Sequence, residues 1–309
     1  MNFDNFVQRR KIYYLISSII IGMGMMAMGY SYVSTGEMFR LGVDFVGGTR
    51  FEVQFEEAVT EEQVRQVFVT NGISHPSVVT LFGQDVVNGW QIRAPYLPPA
   101  ETQAVEDGLH ALSPMVPGTL QITTMSPAVG AEVTRAAFVA VFVAAVIILI
   151  YIMAVFRQVP HPFRYGLCAV AAMCHDLLII MGFVALTGAV LGWELDALFL
   201  TAVLTVVGFS LQDTIVVFDR IRENLNKPKN RRMAFESVVN MSVGDVFKRS
   251  VITQLSAMFV MVSILLFGGD PIKPFIAVLF VGLLSGTYSS IFTATPLLAT
   301  WEERAGTAV

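Results

Sequence analysis

Six apolar stretches, each long enough to cross a lipid bilayer, constrain this chain more than any other feature of its sequence. They run over about 12–33, 136–156, 166–188, 197–218, 250–267 and 274–299. A helix needs roughly 20 apolar residues to span a hydrocarbon core of about 30 Å. Lipid offers the backbone no hydrogen-bond partners, so such runs must satisfy their own N–H and C=O groups as helices. Charged residues make up 14% of the chain, against about 25% in soluble domains. The sequence therefore predicts an α-helical membrane protein. Its parts are an N-terminal helix in 1–33, a folded segment in 34–134, and five more helices in 135–309 with a connecting loop at 219–248.

The first run follows Arg9, Arg10 and Lys11, a pattern shared with signal peptides. At about 22 residues it exceeds a signal core of roughly 7–15, and it reads as an uncleaved anchor. Lys and Arg collect on alternate connections: Arg157 and Arg164 after the second run, and seven residues from Arg220 to Lys248 after the fourth. Connection 189–196 has none. The positive-inside rule then predicts cytoplasmic termini and an extracytoplasmic segment 34–134. That segment holds twelve acidic residues against Arg40, Arg50, Arg65 and Arg93, a net charge of −8.

Within 34–134, residues 49–55 alternate with period two, and Val64, Val67 and Phe68 recur at helical spacing. Residues 77–82 and 90–94 read as two strands of a hairpin, joined around Gly83 and the Asn88–Gly89 turn signal. A helix over 98–112 and a strand over 119–125 complete the order β-α-β-β-α-β, the ferredoxin-like arrangement. The compact pattern suggests either a rigid plug fixed against the helices or a module that moves as a unit, with Gly47-Gly48 and 127–130 as hinge candidates. A cross-link between this module and loop 189–196 is then expected to block function. Residues 230–246 mix apolar and polar positions and read either as an interfacial amphipathic helix or as a charged loop helix.

Several residues are out of place in hydrocarbon. Asp213 lies in the fourth run, where a mid-helix aspartate costs about 2.5–3.5 kcal/mol. Arg249 opens the fifth run and is either a snorkelling anchor or an ion-pair partner for Asp213. A carboxylate balanced between desolvation and an arginine is suited to binding and releasing protons. Gln212, Ser210, Thr214 and Thr253 are hydrogen-bond candidates around it. His175 and Asp176 sit mid-run in the third stretch, as a packing pair or a secondary element of proton access. Asp219 lies among interfacial charges with Arg220, Arg222 and Glu223. A metal site at Cys168, Cys174, His175 and Asp176 is not expected, because adjacent helical residues do not face one ion. The segment 282–290 gives the last run a small-residue face suited to close helix packing.

No Walker A sequence is present, so nucleotide hydrolysis is not the expected energy source. No basic tract points to nucleic acid. No cofactor and no covalent catalysis are expected.

Leu41-Gly42-Val43-Asp44-Phe45-Val46-Gly47-Gly48-Thr49 resembles the LGxDFxGGT signature of SecF proteins. Residues 207–224, from Val207-Gly208-Phe209-Ser210-Leu211-Gln212-Asp213-Thr214 through Phe218-Asp219-Arg220 to Asn224, resemble the family's VGYSxNDTIVVFDRIREN. Lys248-Arg249-Ser250-Val251-Ile252-Thr253 resembles its RTxxTS element, and Ser126–Gly130 and His175-Asp176 also fit. Gln212, Phe209 and Gln254 depart from the family's usual Asn, Tyr and Ser. The resemblance, within the wider RND-type superfamily, implies a bacterial inner-membrane subunit that assists protein export with the proton-motive force. It implies SecD as partner, association with SecYEG and with YajC or YidC, and contact with translocating polypeptide and membrane lipids. It also implies that Asp213 and Arg249 occupy the family's charged transmembrane positions, and that Gly42, Asp44, Gly47 and Gly48 form the signature segment. The competing reading is an RND-type exporter of lipids or hydrophobic small molecules, which would carry a duplicated twelve-helix chain.

Overall fold

Every apolar run is helical in the computed structural model, which describes residues 3–81, 87–230, 233–269 and 272–305. Phe82, Gly83, Arg231 and Arg232, used in the sequence readings, lie outside the described residues. The long helices are α1 (Arg10–Thr35), α5 (Pro127–Val155), α6 (Pro162–Leu191), α7 (Ala197–Leu225) and α8 (Phe235–Phe267). The last span combines α9 (Lys273–Tyr288), a π-helical turn (Ser289–Ala294) and α10 (Thr295–Arg304). Among the described residues, six helical spans are thus long and apolar enough to cross a membrane.

Between α1 and α5 lie α2 (Val43–Val46), β1 (Gly48–Gln54), α3 (Glu61–Thr70), β2 (Ser77–Thr80), β3 (Gly89–Ala94), α4 (Pro99–Leu112) and β4 (Gln121–Met125). The strands form one antiparallel sheet in the order β2-β3-β1-β4, the split βαβ arrangement expected from the strand and helix pattern. Local chemistry explains the boundaries. Thr60 and Gln63 form a reciprocal capping box at the start of α3. Pro99 opens α4, where a missing N–H costs nothing. Along β1, Phe51 and Val53 face the core while Arg50 and Glu52 face away. Val64 and Phe68 of α3 and Val105 and Leu109 of α4 cover the buried side of the sheet. Phe51 and Phe68 meet edge-on with ring centroids 5.2 Å apart.

The chain divides into two compact units. One comprises Met1–Met38, Val139–Leu186 and Phe199–Val309; the other comprises Phe39–Phe138 and Thr187–Leu198. The second unit therefore holds the sheet together with the connection between α6 and α7. In the first unit, α6, α7 and the α9–α10 span are the most buried, and α1, α5 and α8 the most exposed. Phe156, Tyr165 and Phe218 form a buried aromatic cluster in its core.

One expectation is corrected. Residues 235–246 are the first three turns of α8, not a helix lying in an interface. Val238, Val239, Val243 and Val246 are buried. Asn240 accepts from the Val7 N–H at 2.9 Å and donates to the Asp4 carbonyl at 2.7 Å. Asn224 donates to Ser242 at 2.9 Å. These four valines pack inside the protein instead.

Candidate functional site

Two buried carboxylates of the first unit, Asp176 and Asp213, lie within the apolar helices α6 and α7, and their surroundings differ sharply. Asp176 on α6 is 1% exposed. Its Oδ1 accepts from Ser285 at 2.6 Å and faces His175 Nδ1 at 3.1 Å. Its Oδ2 accepts from Ser210 at 2.6 Å and Ser289 at 2.8 Å. An ionised carboxylate has about four acceptor sites, and all are used. His175 continues the network through Nε2 to Ser17 Oγ on α1 at 3.1 Å and stacks on Tyr288 at 6.0 Å. The cluster therefore joins α1, α6, α7 and the α9–α10 span.

Small residues allow these helices to approach. A Cβ on Gly282 would fall 2.3 Å from a methyl of Val206, and one on Gly286 would fall 3.0 Å from Cβ of Ser210. Between α1 and α6, a Cβ on Gly182 would lie 2.5 Å from Cα of Gly24. The small-residue face of 282–290 thus seats α9 against α7 and brings Ser285 and Ser289 to Asp176. The π turn begins at Ser289 itself; such turns frequently mark functional positions.

Asp213 on α7 is 5% exposed. Among the described residues its carboxylate has one side-chain hydrogen bond, from Gln254 Nε2 on α8 at 2.6 Å. Arg249 is exposed and forms no ion pair with Asp213 among the described residues. Arg249 and Gln254 are five positions apart, about 140° around a helix of 3.6 residues per turn. With Gln254 directed at Asp213, α8 points Arg249 elsewhere. Gln212 is exposed and turned away from Asp213. Thr214 and Thr253 donate to carbonyls of their own helices, Ser210 at 3.0 Å and Arg249 at 2.9 Å. Asp219 pairs with Arg222 at the end of α7. Gln254, read only as a departure from a family pattern, is the residue that the geometry adds.

The signature segment lies in the second unit. Gly47 has φ +78° and ψ 170°, a region essentially reserved for glycine. A Cβ there would fall 2.6 Å from Cα of Pro127, the first residue of α5. Gly130 packs against the Gly47 N–H and the Phe45 carbonyl, and Thr134 donates to that carbonyl at 3.1 Å. Gly48, with φ +124°, lies against the Ala94 carbonyl. Gly42 meets Leu195, and Asp44 accepts from the Ala197 N–H at 2.9 Å.

Residues 106–304 match the family described as protein export membrane protein SecD/SecF, C-terminal, and residues 39–59 match the SecD/SecF GG motif. The chain belongs to the SecF family. It is 41% identical over 308 residues to the protein translocase subunit SecF of Thermobaculum terrenum, covering 96% of this chain and 94% of that one. It is 34% identical to the SecF of Synechocystis over 94% of this chain and 91% of the relative. The crystal structure of SecDF from Thermus thermophilus, a translocon-associated membrane protein, superposes with a TM-score of 0.78 at 27% identity. That likeness covers 97% of this chain and 39% of the SecDF chain. A SecF-type subunit of the protein translocase, rather than an exporter of small molecules, is the reading these likenesses support.

Proposed function

We propose that this chain is the SecF half of a SecD–SecF assembly, and that proton binding at Asp213 drives its contribution to export. The observation that carries the reading is the contrast between the two buried carboxylates. Asp176 has every acceptor site filled and is built as a structural node of the helix bundle. Asp213 has one neutral partner, so a proton can come and go without stranding a buried arginine beside it. Membrane-embedded carboxylates of this kind mark ion pathways. Arg249 is the second charged group of the pathway, brought into play when α8 or the SecD partner shifts. The chain works through binding and conformational change, with no covalent chemistry of its own.

The Lys and Arg distribution supports cytoplasmic termini and an extracytoplasmic sheet domain. The translocating polypeptide is the cargo, with SecYEG as the channel served and YajC or YidC as further associates. Reaction of Gly72→Cys with a membrane-impermeant maleimide on intact cells tests this orientation, and labelling only in inverted vesicles would reverse it.

The proton assignment is tested with SecD–SecF complex carrying Asp213→Asn in proteoliposomes or inverted vesicles. Export that depends on a proton gradient should vanish while membrane content of the chain is unchanged. Gradient-dependent export that survives the substitution would remove Asp213 from the mechanism.

A further inference from the structure

The signature segment grips the starts of two membrane helices at once. Its hold on α7 runs through the short connection after α6. Leu195 donates its N–H to the Arg40 carbonyl at 2.8 Å, and the Gly42 N–H donates to the Leu195 carbonyl at 2.6 Å. Leu41 and Leu195 thereby form a parallel bridge. A Cβ on Gly42 would fall 2.7 Å from the Leu195 carbonyl oxygen, so glycine is required for this approach. The next residue back, Glu194, is directed at the exposed side of the sheet with its side chain 6% exposed. Its Oε1 lies 3.3 Å from Arg93 and its Oε2 3.9 Å from Arg50, two residues opposite one another in the β1–β3 register. Burial pushes the Glu194 carboxyl up, opposed by the Arg93, Arg50 and Arg40 guanidinium groups.

Asp44 completes the attachment. Its Oδ2 accepts the N–H of Ala197, the first residue of α7 and one of the four donors a helix N-terminus leaves open. The carboxylate also places negative charge at the positive end of the helix dipole. On its other side the segment locks onto α5 through Gly47 against Pro127 and Thr134 onto Phe45. These contacts are close and are made largely through backbone.

The geometry points to Asp44 as a positioning residue: it clamps the first turn of α7 to the signature segment, so that the sheet domain, loop 192–197 and the start of α7 move as one body. Helix α7 is continuous from Ala197 to Leu225, and Asp213 lies about 24 Å along it at 1.5 Å per residue. Movement of the domain is thereby delivered to the helix that carries Asp213. The gradient-dependent part of the inference rests on the proton assignment above; the clamp itself does not.

Three variants in the SecD–SecF complex test it. Asp44→Ala removes the acceptor and should lower gradient-driven export by roughly two- to thirtyfold, the equilibrium equivalent of losing one helix cap. Asp44→Asn keeps a carbonyl oxygen for the Ala197 N–H and should retain most of the activity. Replacement of Leu41 and Leu195 together by cysteine places thiols within the Cα separation a disulfide spans. The oxidised pair should export as well as the reduced pair, because the two bridged segments stay together. This reverses the expectation that a link between the domain and the 189–196 connection blocks export. Loss of export on oxidation, restored by reductant, would show that the clamp must open and would overturn the inference. Full activity of Asp44→Ala, or equal damage from Asp44→Ala and Asp44→Asn, would overturn the role of Asp44. The oxidation arm is read without a gradient as well, so failure of the Asp213 assignment leaves it decisive.

Discussion

Replacing Gly47 with alanine should be far more damaging than the same change at Gly72, although both glycines have positive φ. At Gly72, φ is +84° and nothing lies within 4 Å of an added Cβ. Gly72→Ala therefore costs only the backbone strain, about 1–2 kcal/mol. Gly47 combines φ +78° with ψ 170°, a conformation whose strain is about 1–3 kcal/mol for other residues. Its new Cβ would also sit 2.6 Å from Cα and 2.7 Å from N of Pro127. That is roughly 1 Å inside the favourable carbon–carbon separation. The obstacle is backbone and cannot rotate away, so overpacking adds about 1–3 kcal/mol. The expected difference between the variants is about 1–4 kcal/mol, after allowing for the shared strain. Urea unfolding of the purified chain in micelles measures it through Trp90 and Trp193, both in the sheet unit. Two variants equal within about 0.5 kcal/mol, the usual scatter of independent surface changes, would refute the argument that Gly47 is a contact glycine.

Three further outcomes follow from the same geometry. Asp176→Asn should destabilise the helix bundle by about 1–3 kcal/mol, because an amide N–H₂ replaces an acceptor that buried serines address; Asp213→Asn should leave thermal unfolding nearly unchanged. Gln254→Leu removes the only side-chain hydrogen bond to Asp213 found among the described residues and should lower gradient-driven export in reconstituted complex by about tenfold, the equivalent of roughly 1.4 kcal/mol; export at the unsubstituted level would rule Gln254 out. The raised pKa of Glu194 means that the folded state holds its proton to higher pH than the unfolded chain. Stability from this group therefore increases as pH falls through the folded pKa towards the unfolded value of about 4.3. The stability difference between the unsubstituted chain and Glu194→Gln, followed by thermal melts across that range, should shift in favour of glutamate on acidification. A shift in favour of glutamine would contradict the burial argument.

Periodicity carries most of the architecture. The alternation in 49–55 and the helical spacing of Val64, Val67 and Phe68 report burial directly, and the sheet domain assembles as those patterns indicate. The short helix α2 is invisible to periodicity because four residues contain no repeat. The partners of Asp176 are equally hard to read. Ser210 comes from α7, Ser285 and Ser289 come from the last span, and Ser17 of α1 reaches the carboxylate only through His175; serine hydroxyls in apolar helices are common. Only packing reveals which of them face the carboxylate. Gln254 shows the same limit from the other side. Its identity looks like a family variation, while its position one α8 face away from Arg249 decides which side chain reaches Asp213. The apolar residues of 235–246 mislead because a stripe that faces lipid and a stripe that faces protein have the same spacing.

The saturated environment of Asp176 also sets an order for making the protein. Its donors are encoded later: Ser210 comes 34 residues after it, Ser285 comes 109 after and Ser289 comes 113 after. At about 5–20 residues per second of synthesis, α6 waits roughly 5–20 s before the last span exists to complete the cluster. Until Ser210 is made, Asp176 has only His175 and, through it, Ser17 among its eventual partners, and Ser210 alone joins them before the last span. Helix α6 must therefore spend its first seconds beside the insertion machinery or against α1, shielded from lipid, and an arrest of synthesis before Ser285 should leave a chain that membrane quality control removes.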